Sequence, residues 1–230
     1  MAIIPVKISR IQQMTPTIKV LELDLMGEEF SYHPGQWIDC YADIDGERRV
    51  AGYSIASSPT TMGTFELAVK SSDNPVTQYV HTRAGAGDTL YVEGGQGDVY
   101  YRREMGNSLV ILAAGIGIAP MMSILRYAHA VGDVEVKMIY GTASDEELAY
   151  LDEIRVIADA NPRISYHITV SGVDTKHREG KIDEALLNEV GLNINALYYI
   201  CGPPPMIHST ADTLRKMGVQ NSHIRYELWW

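Results

Sequence analysis

Cysteine is scarce: two residues, Cys40 and Cys201, stand far apart in a chain of 230. That excludes a disulfide framework, a four-cysteine zinc site and any four-cysteine iron–sulfur cluster within the chain. Long apolar runs are missing too. No segment approaches the ~18 apolar residues of a membrane span, and the opening MAIIPVKISR lacks the pattern of a cleavable signal. Basic residues are outnumbered, 19 Lys and Arg against 29 Asp and Glu, for a net charge of −10. Nucleic acid and anionic membrane surfaces are therefore poor partners, whereas an acidic face suits a basic protein. The 7 histidines show no metal-ligand spacing, and no repeat or low-complexity stretch interrupts the chain. Hydrophobic residues at 46% and charged residues at 21% are the balance expected of a soluble globular protein. The length suits one large domain or two ordinary ones, and a reducing cytosol is the expected compartment.

The first hundred residues read as short strands with regular turn signals. Strands are expected at 3–11, 17–25, 36–44, 49–56, 65–70 and 89–93, with a short helix opening at Asn74-Pro75. Thr15-Pro16, Asp45-Gly46 and Ser58-Pro59 supply the turns, and this spacing argues for a small antiparallel barrel. The period changes after Tyr101. Strands near 110–113, 134–140, 164–170 and 197–200 alternate with helices near 119–131, 146–160, 182–190 and 204–217, which predicts a parallel, doubly wound sheet. The division expected is 1–103 and 104–230, at the charged, glycine-containing link Arg102 to Gly106.

Ligands of open α/β sheets collect outside the carboxyl ends of the strands. Two such ends are unusual here. In SLVILAAGIGIAPMMSILRYA, Ser108 to Ala128, an apolar strand breaks at Gly115 and Gly117 and resumes as a helix with Pro120 in its first turn. Bare N–H groups and the positive end of a helix dipole then suit a phosphate. The third glycine of a G-x-G-x-x-G signature is absent, since Pro120 stands there, and a tight turn with no ligand is the alternative. Met121-Met122 reads as core filling. In YYICGPPPM, Tyr198 to Met206, Cys201 and Gly202 precede three prolines that fix a helix entry. A stiff turn is the plain reading; close approach of a flat ring to the backbone is the functional one.

The motifs YHPGQWIDCY (Tyr32 to Tyr41), AGYSIASSP (Ala51 to Pro59), LAVK (Leu67 to Lys70), AAGIGIAPMMSIL (Ala113 to Leu125), YICGPPPM and RYELWW follow one another in the chain. Together they resemble the ferredoxin–NADP reductase superfamily over nearly the whole length. The likeness is nearest to the oxidoreductase NAD-binding domain-containing proteins, which end in a similar tryptophan pair. The resemblance implies a six-stranded flavin-binding β-barrel followed by a nucleotide-binding α/β domain, with FAD as cofactor and hydride arriving from a nicotinamide. It assigns Tyr53 to packing on the isoalloxazine and Ser54 to the neighbourhood of flavin N5. Ala68, Val69 and Lys70 are assigned to the ring's polar edge, Thr77 to the pyrophosphate, and Trp230 to shielding the flavin face. On the nicotinamide side it assigns Gly115, Ile116, Gly117, Thr142, Asp145, Cys201, Gly202, Pro203 and Met206. Ser54, Cys201 and Glu227 are the expected catalytic residues, and no metal is expected. Each assignment has a plainer rival: Tyr53 as barrel core, Thr77 satisfying its own helix, Glu227 as a surface charge, Trp230 as core.

One departure stands out. Where the family usually has arginine two positions before the tyrosine, this chain has Ala51, which forfeits ~1.5–3 kcal/mol of charge-assisted bonding to the flavin phosphates. Arg48 or Arg49 is either a replacement or a solvated strand-edge charge. From Met138 to Ile154 there is no Lys or Arg, while Asp145, Glu146, Glu147, Asp152 and Glu153 are acidic. That predicts NADH over NADPH, since a 2′-phosphate wants a cation; otherwise the acidic runs read as a solvated helix face. The expected activity is an NADH-dependent flavoprotein reductase whose electrons leave for a separate redox protein or a small acceptor (free flavin, quinone, metal ion, oxygen). Two rivals stand: a reductase of diffusing FAD or FMN, and a non-catalytic NAD(H)-responsive subunit.

Overall fold

The computed structural model describes residues 2–228. Six strands, β1 (Ile4–Gln13), β2 (Ile18–Asp24), β3 (Trp37–Ile44), β4 (Glu47–Ser54), β5 (Thr64–Lys70) and β6 (Thr89–Gln96), form one antiparallel sheet. Its order is β4-β3-β6-β1-β2-β5, and a bridge between Ile55 and Leu67 joins the two edges into a barrel. The alternation of β2 explains how the barrel meets the rest of the protein. Leu21, Leu23 and the following Leu25 face the barrel interior, while Ile18 and Val20 point the other way and are buried against the second half of the chain. Helix α1 (Pro75–Thr82) packs Val76 and Val80 into the barrel core. Asn74 caps it, accepting from the N–H groups of Val76 at 2.8 Å and Thr77 at 3.5 Å.

The second sheet is wholly parallel: β7 (Ser108–Ala114), β8 (Glu135–Thr142), β9 (Ile164–Val170), β10 (Arg178–Glu179), β11 (Leu197–Cys201) and β12 (Ile224–Tyr226), in the order β10-β9-β8-β7-β11-β12. Helices α2 (Ile118–Val131) and α3 (Leu151–Ala160) cover one face, and α4 (Glu184–Val190) and α5 (Pro204–Lys216) the other. Along β7, Leu109, Ile111 and Ala113 face the first pair, and Val110 and Leu112 the second. A strand buried on both faces reads as a continuous apolar run, as this one does. The strand order reverses between β7 and β11, so the switch-point crevice lies at Ala114 and Cys201.

Three expectations need correction. The helix placed at 146–160 begins only at Leu151: Asp145–Glu147 form a 3-10 turn, and Tyr150 takes a left-handed φ of 62° before the helix starts. The helix placed at 182–190 starts at Glu184, capped by the Asp183 carboxylate, while Ile182 is buried in the core. Strands β10 and β12, two and three residues long, extend a sheet expected to have four strands.

Candidate functional site

A cleft of about 690 Å³ opens where the barrel meets the carboxyl ends of β7 and β11. One wall comes from β4 (Ala51 to Ser54), β5 (Ala68, Lys70) and the start of α1 (Asn74, Thr77). The other comes from Ala114 to Gly117, Pro120 and Cys201 to Pro204. Glycine is a geometric need at two points of that second wall. A Cβ on Gly117 would stand 2.3 Å from the Cys201 carbonyl oxygen, so the turn rests directly on the end of β11. Gly115 takes a left-handed φ of +54°, and the space beside its Cα is open. The turn leads straight into α2, and the first residue of that helix, Ile118, donates its N–H back to the Gly115 carbonyl.

On the barrel wall, the Tyr53 hydroxyl and Thr77 Oγ1 share a hydrogen bond of 2.7 Å, and burial holds the Tyr53 phenol well above its ordinary pKa. Thr77 is thus not the cap of its own helix; Asn74 is. Ser54, Cys201 and Glu227, from three distant parts of the sequence, line one small cavity together with Gly35, Val99 and Met121. Burial, then the neighbouring Glu227, pushes the Cys201 thiol up to about 12. At neutral pH it is protonated and is no nucleophile. Burial also raises Glu227, and Asp98 adds to the rise, while a hydrogen bond from Trp37 opposes it.

Four residues grouped with these line neither the cleft nor that small cavity. Val69 is fully buried, its side chain in the barrel core and its carbonyl 3.0 Å from the His81 ring, because successive strand residues alternate faces. Thr142 is buried and donates to the Ser144 carbonyl at 2.8 Å. Asp145 accepts from Thr175 Oγ1 at 2.5 Å and from the Lys176 N–H at 3.1 Å, which ties it to the β9–β10 loop. Met206 packs on the α4–α5 core. Trp230 lies outside the described residues.

The cleft's charge is sparse. Among the described residues lining it, Lys70 is the one cation and Asp39 the one anion. Arg48 pairs with Asp43 at 2.9 Å and lies over the Tyr91 ring, and Arg49 pairs with Glu47, so neither turns into the cleft beside Ala51. The acidic runs are a solvated face only in part: Glu146 and Asp152 are exposed, but the other carboxylates have partners. Glu147 accepts from Thr15 at 2.9 Å and Thr17 at 2.7 Å across the inter-sheet contact, and Glu153 accepts from Arg126 at 2.6 Å. Contacts with Thr175 and the Lys176 N–H, reinforced by the positive charges of His177 and Lys176, lower the pKa of Asp145. Those two basic residues come from a loop thirty positions on, beyond any local reading of charge.

The oxidoreductase FAD-binding domain family matches residues 5–101, and the oxidoreductase NAD-binding domain family matches 111–212. The oxidoreductase NAD-binding domain-containing protein 1 of Danio rerio is 30% identical over 238 residues, covering 93% of this chain and 87% of its own. The toluate 1,2-dioxygenase electron transfer component of Pseudomonas putida is 26% identical, covering 96% and 66%. In fold, the FAD/NAD-binding domain of nitric oxide dioxygenase from Vibrio cholerae superposes with a TM-score of 0.88 at 23% identity, covering 98% of both chains.

Proposed function

The chain belongs to the ferredoxin reductase-like oxidoreductases that join an FAD-binding domain to an NAD-binding domain, and on that premise we propose that it oxidises NADH through bound FAD and delivers the electrons to an acceptor outside itself. The observation that carries this reading is the shared cleft, with Tyr53 and Ser54 on one wall and Gly115 to Gly117 with Cys201 and Gly202 on the other. Its volume is within the ~300–1,000 Å³ of small-molecule sites. The donor set also fits. Ala51, Gly52 and Ala68 leave room for a ring, and Lys70 offers positive charge to phosphates.

The flavin, when bound, supplies a hydride acceptor that can release its electrons one at a time. The chain's own residues bind, orient and exclude water. Tyr53, its hydroxyl held by Thr77, would pack against the ring, and Ser54 would lie where the two rings meet. Cys201, neutral and soft, and Gly202, without a side chain, would seat the nicotinamide. Glu227 would offset positive charge on the oxidised nicotinamide, and Gly115 to Gly117 would hold the pyrophosphate. We take the domain boundary at residues 103 and 104, in the 3-10 turn Arg103–Met105. NADH is favoured over NADPH by the absence of Lys and Arg between residues 138 and 154. The acceptor is a separate iron–sulfur or haem protein, or a small oxidant.

The absorption spectrum before and after anaerobic NADH tests the proposal: a yellow protein that bleaches supports it, and an unchanged flavin band overturns it. Comparison of kcat/KM for NADH and NADPH tests the cofactor choice, and equal values would defeat it. Ala51, with Arg48 and Arg49 engaged elsewhere, favours a second reading in which flavin is a diffusing substrate. Colour lost on dialysis, with NADH oxidation restored by added flavin, would select it.

A further inference from the structure

The two walls of the cleft belong to different sheets, and something must fix how one slides against the other. Much of the contact is apolar: Ile18, Val20, Ala56 and Ala68 of the barrel share a core with Ala119, Met121, Met122 and Leu125 of α2. Apolar burial is non-directional and holds surfaces together without setting their register. Hydrogen bonds do set it. About 9 Å down α2 from Gly117, at 1.5 Å per residue, the fully buried Ser123 donates from Oγ to the Ser57 carbonyl at 2.6 Å. One turn further, Arg126 donates from Nη1 to the Ala56 carbonyl at 2.8 Å and to Glu66 at 2.9 Å. Its Nε and Nη2 grip Glu153 at 2.6 and 2.7 Å, and the Tyr150 hydroxyl completes Glu66 at 2.9 Å.

Ala56 and Ser57 follow Ser54 by two and three residues. Helix α2 therefore carries the nucleotide turn at its head and is pinned by its flank to the chain segment that presents Ser54. Resting on the reading of the cleft given above, we propose that Arg126, seconded by Ser123, is a positioning residue that sets the spacing and slide between the nicotinamide-side and flavin-side walls. Neither residue lines the cleft or touches a reacting atom. A mostly buried ion pair of this kind adds little stability over an apolar pair of similar size. Its contribution here is register.

The test uses the full chain carrying Arg126→Met with Glu66→Gln, so that the more buried of the two carboxylates is not left unpaired while the more exposed Glu153 turns to solvent, beside the milder Ser123→Ala. Stopped-flow reduction by NADH is expected to slow ~10–100-fold in the double variant, the usual result of small misplacement of reacting groups. The KM for NADH and the melting temperature stay near those of the unaltered protein. Arg126→Lys, which keeps a donor for the Ala56 carbonyl, restores part of the rate. A second readout needs no flavin: in the apoprotein, hydrogen exchange at Ile55, Ala56 and the first turn of α2 accelerates while β1 and β2 keep their protection. A fall in melting temperature with the reduction rate intact, or faster exchange everywhere at once, would reduce Arg126 to a structural tie and overturn the proposal. If the unaltered protein leaves NADH unoxidised, the reading of the cleft fails first and the positioning role falls with it.

Discussion

Restoring a cation at position 51 should tighten flavin binding, and the structure says by how much and for which flavins. Ala51 is buried, lines the cleft, and pairs across the sheet with Cys40, so a longer side chain there must extend toward Lys70, Asn74 and Thr77. A guanidinium reaching a phosphate there gains ~1.5–3 kcal/mol. Against this stand up to ~2 kcal/mol for ordering a long side chain and some repulsion from Lys70. The net gain is then at most ~1.4 kcal/mol, a tenfold lower Kd. Titration of the apoprotein with FAD, FMN and riboflavin, followed by flavin fluorescence, separates charge from packing. Ala51→Arg should tighten FAD and FMN by up to about tenfold at low salt, lose part of that gain as salt screens the charge, and leave riboflavin unchanged. Arg48→Ala is the companion variant and should alter none of the three, because Arg48 is spent on Asp43 and Tyr91. If Ala51→Arg tightens riboflavin equally, or if Arg48→Ala loosens FAD, the phosphates do not lie beside position 51 and the reasoning fails.

Gly117→Ala forces a methyl to within 2.3 Å of the Cys201 carbonyl oxygen; chemical denaturation should show a loss of ~1–3 kcal/mol, and the KM for NADH should rise. Burial raises the Glu227 pKa above its unfolded value, so its stabilising effect is fully present below the unfolded pKa and is lost as pH rises through the folded one. Glu227→Gln should therefore melt higher than the unaltered protein at neutral pH, with the difference closing in acid, while NADH oxidation slows; an unchanged melting difference across that range would refute the buried charge. Asp145→Ala releases the β9–β10 loop from the turn after β8 and should raise the KM for NADH with little change in kcat, read from steady-state kinetics.

Much of this fold is legible in local pattern. Alternation marks the barrel strands, and the apolar run of β7 marks a strand covered on both faces. What escaped is short or conformationally odd. Strands β10 and β12 are too brief to show a period, and a left-handed Tyr150 interrupts a stretch whose Leu151, Ile154 and Ala158 keep helical spacing from there on. The gathering of Ser54, Cys201 and Glu227 around one cavity has no local signature at all; only the order of whole motifs along the chain pointed to it.

Charge was the least legible property, for a physical reason. A window such as 138–154 contains five carboxylates and no cation, so read alone it repels phosphate. Folding supplies the missing partners from far away: Thr15 and Thr17 for Glu147, Arg126 for Glu153, Thr175 and Lys176 for Asp145. An electrostatic field falls off with distance in space, not along the chain, so the acidity of a segment says little until its neighbours across the fold are known. The same holds for Arg48 and Arg49, which the sequence sets near Ala51 and the fold turns toward Asp43 and Glu47. Cofactor choice and flavin retention are therefore set by pairings across the fold and not by the charge of any one segment.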